Sequence, residues 1–239
     1  MQNLWDKKAK TYNRFDGKLS KFGKVLFDKL NEFKINFNDK NILDIGCGTG
    51  VYSLYLAGIC KFVTCLDSSN EMLKCLKDDA NKFNIKNIKI INLPFDEFYN
   101  DKKFDIAFLT MSPSLKNEKD FDKFISLGKE KIYLNWQIPR YSSLIEPFLK
   151  DRKIPNYATT ANELEAYLKN KNISYKTHIF DEKREVKRDF NSAYENILWH
   201  LQINKIDIDE LTIKRNLQKT YKDDIIIETI ISKMKLLVF

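Results

Sequence analysis

Residues 42–50 read I-L-D-I-G-C-G-T-G, a short and mostly apolar strand followed by glycines at 46, 48 and 50. Three of the chain's 7 glycines stand here on alternate positions. Alternate glycines let the backbone bend through conformations that other residues avoid, and they leave bare main chain for a ligand to lie against. The run predicts a strand over 42–45, a tight turn, a helix from Val51, and a nucleotide-shaped ligand at the turn.

Outward from the turn, helix and strand alternate. Leu19, Phe22, Val25, Leu26, Leu30 and Phe33 recur at helical spacing before the first strand. Residues 51–57 read as a helix stopped by Gly58, and 61–66 as a second strand ending at Asp67. Ser68 and Glu71 then form an S-x-x-E capping box for a helix carrying Met72, Leu73 and Leu76. Further strands are expected at 88–91, 104–109 and 131–136, with a helix over 117–127 that stops at Gly128.

Beyond Pro155 the rhythm is less regular. Thr160 and Glu163 cap a helix through Leu168, residues 173–180 alternate like a strand, and 225–239 read as one or two more. The order predicts an α/β fold, a Rossmann-like, mostly parallel seven-stranded sheet with helices on both faces. Residues 1–239 read as a single domain, with 187–224 as a helical lid inserted near its C-terminus. On the helix over 190–201, Phe190, Ala193, Tyr194, Ile197, Leu198 and Leu201 share one stripe. Trp199 points away from it at about 100° per residue, as a surface tryptophan or as a lid residue over a ligand.

With 239 residues and 43% hydrophobic content the chain can bury a core of one sizeable domain. Apolar runs fall well short of the ~18 residues of a membrane span, and the first thirty residues lack the apolar core of a signal peptide. The expectation is a soluble, cytoplasmic protein with no membrane association. The net charge of +8 comes mostly from dispersed lysines with no block of five basic residues, so nucleic acid is a secondary expectation as partner. Cys47, Cys60, Cys65 and Cys75 form no C-x-x-C pair, and His178 and His200 are remote from them, so no metal site is expected.

In an open parallel sheet, ligands sit outside the carboxyl ends of the strands. Asp67 follows the glycines by about 20 residues at a strand end, the placement of a carboxylate that grips two ribose hydroxyls. A dinucleotide fold would need glycine where Val51 stands, and a P-loop would need Lys-Ser/Thr where Val51 and Tyr52 stand. The spacing is D-x-G-x-G-x-G instead.

That spacing, followed by D-S-S-N-E-M-L over 67–73, resembles the class I S-adenosylmethionine-dependent methyltransferases. The resemblance is clear over residues 6–136 and holds only in outline beyond. It implies S-adenosyl-L-methionine as cofactor, with Gly46, Cys47, Gly48 and Gly50 along its methionyl part and Asp44 behind the turn. It places Asp67 on the ribose, Ser68 and Met72 beside the adenine, Phe95 or Asp96 near the adenine amino group, and Thr110 and Met111 beside the sulfonium. Trp5, Ala9 and Tyr12 resemble the amino-terminal helix that closes over the cofactor, with Tyr12 the candidate contact.

The acceptor is read from the loop after the fourth strand. Enzymes that methylate a nucleobase amine resemble one another in a D/N/S-P-P-Y/F/W loop, whereas residues 112–115 are S-P-S-L, without the second proline or the aromatic. No acidic cluster follows that strand to hold a hard cation. Ser112, Trp136, Tyr194 and Trp199 are the main candidates for an acceptor pocket, with Ser114, Arg140, Tyr141 and His200 beside them; no general base is assigned. The leading reading is methyl transfer to a small-molecule acceptor; the alternatives are an RNA methyltransferase and a non-catalytic S-adenosylmethionine-binding protein.

Overall fold

The computed structural model describes residues 2–149, 159–221 and 225–239. Pro155 and residues 222–224 of the 187–224 segment lie outside them. In chain order the elements are α1 (Gln2–Ala9), α2 (Lys21–Glu32), β1 (Asn41–Ile45), α3 (Val51–Ala57), β2 (Phe62–Asp67), α4 (Asn70–Lys82), β3 (Ile88–Asn92), a 3-10 turn (Phe95–Glu97), β4 (Phe104–Thr110) and α5 (Glu118–Leu127). They continue with β5 (Gly128–Trp136), β6 (Tyr141–Ser142), α6 (Glu146–Leu149), α7 (Thr160–Asn170), β7 (Lys176–Arg188), α8 (Phe190–Ile203), α9 (Glu210–Thr220) and β8 (Ile226–Val238).

The sheet runs β3-β2-β1-β4-β5-β8-β6, with β7 paired to β8 off this path. The first five strands are parallel and β8 is antiparallel to its neighbours. Among the described residues there are eight strands where seven were expected. The extra one is β6, two residues pairing Tyr141 with Ile231 and Ser142 with Ile230, too short to leave a periodic signal. The chain end expected as one or two strands is the single 13-residue strand β8.

The central strands are buried on both faces, which is why they read as continuous apolar runs. One face carries Leu26 and Leu30 of α2, Leu54 and Leu56 of α3 and Leu76 of α4. The other carries Phe121 and Phe124 of α5 and Leu164 and Leu168 of α7. A third cluster joins Leu144 and Phe148 to Ala193, Ile197 and Leu201 of α8 and Ile213 and Leu217 of α9. Val25, expected on the core stripe of α2, is 47% exposed.

Two helix starts differ from the sequence reading. The α4 cap is Ser69, whose hydroxyl accepts from the Met72 N–H at 3.2 Å. Ser68 cannot begin the helix because the Asp67 carboxylate takes the Ser69 N–H at 2.8 Å, holding the chain one residue longer in a turn. The cap of α7 is Thr159, one residue earlier than expected, with its hydroxyl donating to Glu163 at 3.2 Å.

The feature that shapes the cleft is the ribbon of β7 and β8. The two pair along their length, from Lys176 opposite Val238 to Arg188 opposite Ile226, while β5 reaches only from Ile132 to Trp136 against the end of β8. The first half of β8 therefore overhangs the carboxyl ends of the parallel strands. On it Ile226, Glu228, Ile230, Ser232 and Met234 are all buried, whereas Ile227 and Ile231 face out. The inward period-2 row carries a glutamate and a serine among apolar residues.

Candidate functional site

The strand β1 delivers the chain into the glycine turn, where Gly46, Gly48 and Gly50 have φ of 68°, 55° and 79°. The N–H groups of Gly46 and Cys47 donate to the Leu66 carbonyl at 2.7 and 3.1 Å, clipping the turn to the end of β2. Two of the glycines are needed for space as well as conformation. A Cβ on Gly46 would stand 2.1 Å from the Ser112 hydroxyl, and one on Gly50 2.5 Å from Leu76. Gly48 differs: a Cβ there would meet nothing within 4 Å, so its Cα borders open space.

Asp67 fixes the other side of that space. One carboxylate oxygen accepts from the Gly48 N–H at 2.8 Å and the other from the Ser69 N–H at 2.8 Å. The Ser68 N–H is a third backbone donor to this carboxylate, which with about four acceptor sites keeps capacity for a further hydroxyl. Burial raises the Asp67 carboxyl above its ordinary range, opposed by those backbone donors. Asp44 lies beneath the turn, 2% exposed, and accepts from the Ser53 hydroxyl. Desolvation pushes it up to about 7. Burial likewise raises the Cys47 thiol, so it is no thiolate at neutral pH.

The rim is closed by α1 and the segment after it. Asp6 accepts from the Ser69 hydroxyl at 2.6 Å and the Glu71 N–H at 3.2 Å, satisfying donors at the start of α4. Arg14 makes a bidentate pair with Asp79, and Thr49 of the glycine turn donates to the Asn13 carbonyl at 2.5 Å. Tyr12 stands in a T-shaped contact 6.3 Å from Trp5, within electrostatic reach of Asp67 and Arg140.

Trp199 resolves the question posed by its place on α8. It stacks edge-on to Trp5 at 5.0 Å and donates its indole N–H to the Leu4 carbonyl at 2.9 Å. The aromatic opposite the core stripe therefore fastens α8 to α1. Tyr194 lies elsewhere: its hydroxyl donates to Glu210 at 2.6 Å and Lys214 sits over its ring, joining α8 to α9.

The remaining candidates separate clearly. Thr110 ends β4, and Met111 follows it in a left-handed conformation with φ of 53°, its N–H donating to the Leu134 carbonyl at 2.8 Å. Ser112 is buried against Gly46, hydrogen-bonded to Ser114 at 2.8 Å, with its carbonyl held by Asn135. Trp136 is half-buried at the end of β5. Ser68 is half-buried beside Asp67, while Met72 is only 2% exposed and packs as core. Phe95 is buried and Asp96 is exposed; at the end of β3 the Asn92 side-chain amide and the Leu93 N–H both donate to the Asp67 carbonyl at 3.1 Å. Leu93, 38% exposed beside it, carried no sequence signal beyond following a strand.

His200 faces Arg140, with 3.4 Å between Nε2 and the guanidinium Nη1. Arginine can only donate, so Nε2 is the acceptor, and burial together with Arg140, Lys8 and Arg188 holds the imidazole well below its ordinary pKa. A neutral histidine with that lone pair engaged is not placed to take a proton. Among the described residues no three His, Cys, Asp or Glu side chains gather into a metal-binding group, and no helix is long and apolar enough to cross a membrane.

Residues 42–127 match the family described as a methyltransferase domain. The chain is 34% identical over 101 residues to a Methanocaldococcus jannaschii protein named "Probable cobalt-precorrin-6B C(15)-methyltransferase (decarboxylating)", covering 41% of this chain and 52% of that one. It is 32% identical over 124 residues to ribosomal RNA small subunit methyltransferase A of Mesomycoplasma hyopneumoniae, covering 46% and 47%. The chain spans about half the length of these curated relatives. In fold it is similar to the SAM-dependent methyltransferase from Geobacter sulfurreducens in complex with S-adenosyl-L-homocysteine, with a TM-score of 0.56 at 11% identity over 98% of this chain and 97% of that one.

Proposed function

We propose that this chain, which carries a class I S-adenosylmethionine-dependent methyltransferase domain, transfers a methyl group from S-adenosylmethionine to a small-molecule acceptor. The observation that carries the reading is the open space beside Gly48, bounded by a carboxylate with spare acceptor capacity. A cofactor with a ribose and a zwitterionic tail fits that cradle: hydroxyls for Asp67, and bare main chain where the tail passes.

When bound, the sulfonium supplies an electrophilic methyl and a good leaving group. The residues then have two tasks, alignment and exclusion of water. Alignment falls to the close contact of Ser112 with Gly46, which fixes the loop after β4 against the turn and sets where an acceptor atom can approach. Exclusion of water falls to Trp5, Tyr12 and Trp199, the aromatic set that joins α1 to α8.

Isothermal titration with S-adenosylhomocysteine tests the cofactor half. Binding should weaken by about 10- to 100-fold in Asp67→Ala, as expected for loss of hydrogen bonds to a charged group. Equal affinity in the two proteins, or none in either, defeats the reading. RNA methylation is favoured by the named relative that acts on ribosomal RNA; it predicts RNA binding that falls steeply with salt.

A further inference from the structure

The overhanging ribbon holds a cluster of charges that the cofactor half of the cleft does not use. Glu228, fully buried on β8, accepts from Arg188 Nε at 2.6 Å, Arg140 Nη2 at 3.2 Å and the Ser142 hydroxyl at 2.6 Å. Lys8 of α1 reaches the same region: its ammonium donates to Asn196 Oδ1 at 3.3 Å and sits 5.0 Å over the Trp199 ring. Trp199 and His200 are in T-shaped contact at 4.9 Å, and His200 faces Arg140. Two arginines thus grip one carboxylate, with a lysine in the same region.

The other charges nearby do not cancel the excess. Glu182 is paired with Arg184 at 3.5 Å, and Glu195 is exposed on α8. The cluster also carries unused donors. Arg140 Nε and Asn196 Nδ2 are buried without a hydrogen-bond partner, and Asn196 as a whole is 5% exposed. Unsatisfied buried donors beside surplus positive charge are costly unless something fills the gap. Lys8 responds to that environment: burial first, then Arg188 and Arg140, hold its ammonium below the ordinary pKa.

We infer that Lys8, Arg140 and Asn196 form a binding site for an oxyanion, a carboxylate or phosphate, carried by the small-molecule methyl acceptor. The inference rests on the methyltransferase reading and narrows its acceptor to an anionic one. Tyr12 lies within electrostatic range of both Asp67 and Arg140. Glu228 holds Arg188 and Arg140 Nη2 and His200 faces Arg140 Nη1, leaving Arg140 Nε and the Lys8 ammonium for the ligand. A carboxylate or phosphate suits such a fork because it accepts several charge-assisted bonds at once.

The test uses the full chain saturated with S-adenosylhomocysteine, titrated with benzoate, phenyl phosphate and benzamide. Either anion should bind at least fivefold more tightly than the neutral amide, and the better anion shows which oxyanion the site prefers. That preference should disappear in Arg140→Gln and shrink at least threefold in Lys8→Gln, while affinity for S-adenosylhomocysteine changes less than threefold. Lys8→Gln keeps the test open if loss of Arg140 unfolds the protein. Equal binding of anion and amide in a protein that binds S-adenosylhomocysteine normally overturns the inference and leaves the cofactor reading standing. Failure to bind S-adenosylhomocysteine at all defeats the cofactor reading instead, and the anion site with it. A short RNA that competes with benzoate and binds more tightly than phenyl phosphate overturns the small-molecule assignment.

Discussion

On one side of the cleft the surface is main chain; on the other it is side chains. At the glycine turn, three residues with positive φ and two backbone N–H groups on Asp67 define the space. Across from it, Arg140, Arg188, Lys8, Asn196 and Trp199 define the wall, reaching in from the loop after β5, from β7, from α1 and, for the last two, from α8. A site made of backbone demands particular residues at fixed local spacing. A wall made of side chains demands that distant segments meet, and its chemistry can change with few substitutions.

The contrast can be broken most forcefully at Glu228. Glu228→Gln removes the charge that two arginines share in a fully buried place, and about 3–5 kcal/mol of stability should be lost. Urea denaturation reads the loss, and a change under about 1 kcal/mol would mean that the ribbon wall is not held by this cluster. On the backbone side, Gly46→Ala combines a left-handed φ with a Cβ 2.1 Å from the Ser112 hydroxyl. Strain and overpacking together should cost about 3 kcal/mol, seen in the same denaturation experiment.

A subtler comparison lies within the turn itself. Gly48→Ala meets open space, so only the left-handed penalty of about 1–2 kcal/mol applies to folding. Its effect on S-adenosylhomocysteine affinity should exceed its effect on stability, because the added methyl enters the space proposed for the ligand. Equal affinity in the alanine variant would place the ligand away from Gly48.

A further effect is a slope in pH. Asp44 titrates near 3.8 as an ordinary carboxyl and at about 7 in the folded protein. Between those values the native state holds a proton that the unfolded chain has lost, so stability should fall as pH rises from about 4 to about 7. Asp44→Asn should flatten thermal stability across that window. An unchanged slope would assign it to other groups.

Much of the parallel half was legible because its signals are local. The strand 42–45, the helix 51–57 and the D-x-G-x-G-x-G spacing follow from neighbouring residues, and the structure places them in β1, α3 and the turn. The Ser68 cap was misread because a carboxylate that takes a neighbouring N–H competes with a helix start, and composition alone does not rank the two. The charge cluster around Glu228 was barely visible. Arg140 was singled out with the loop after β5, but nothing tied it to Arg188 or Lys8. One signal was available: Glu228 occupies an inward position in a mostly apolar alternation with Ile226, Ile230, Ser232 and Met234, and a buried glutamate in such a row calls for cations.

The sequence by itself determined the turn and the carboxylate that follows it, since positive φ and strand-end placement are written within about 25 residues of chain. The tertiary structure alone decided what faces that turn. Trp199 meets Leu4 across 195 positions, Lys8 meets Asn196 across 188, and Arg140 meets Glu228 across 88. Such contacts arise from how β8 threads between β5 and β7 and how α1 folds back onto α8, and no local periodicity encodes either.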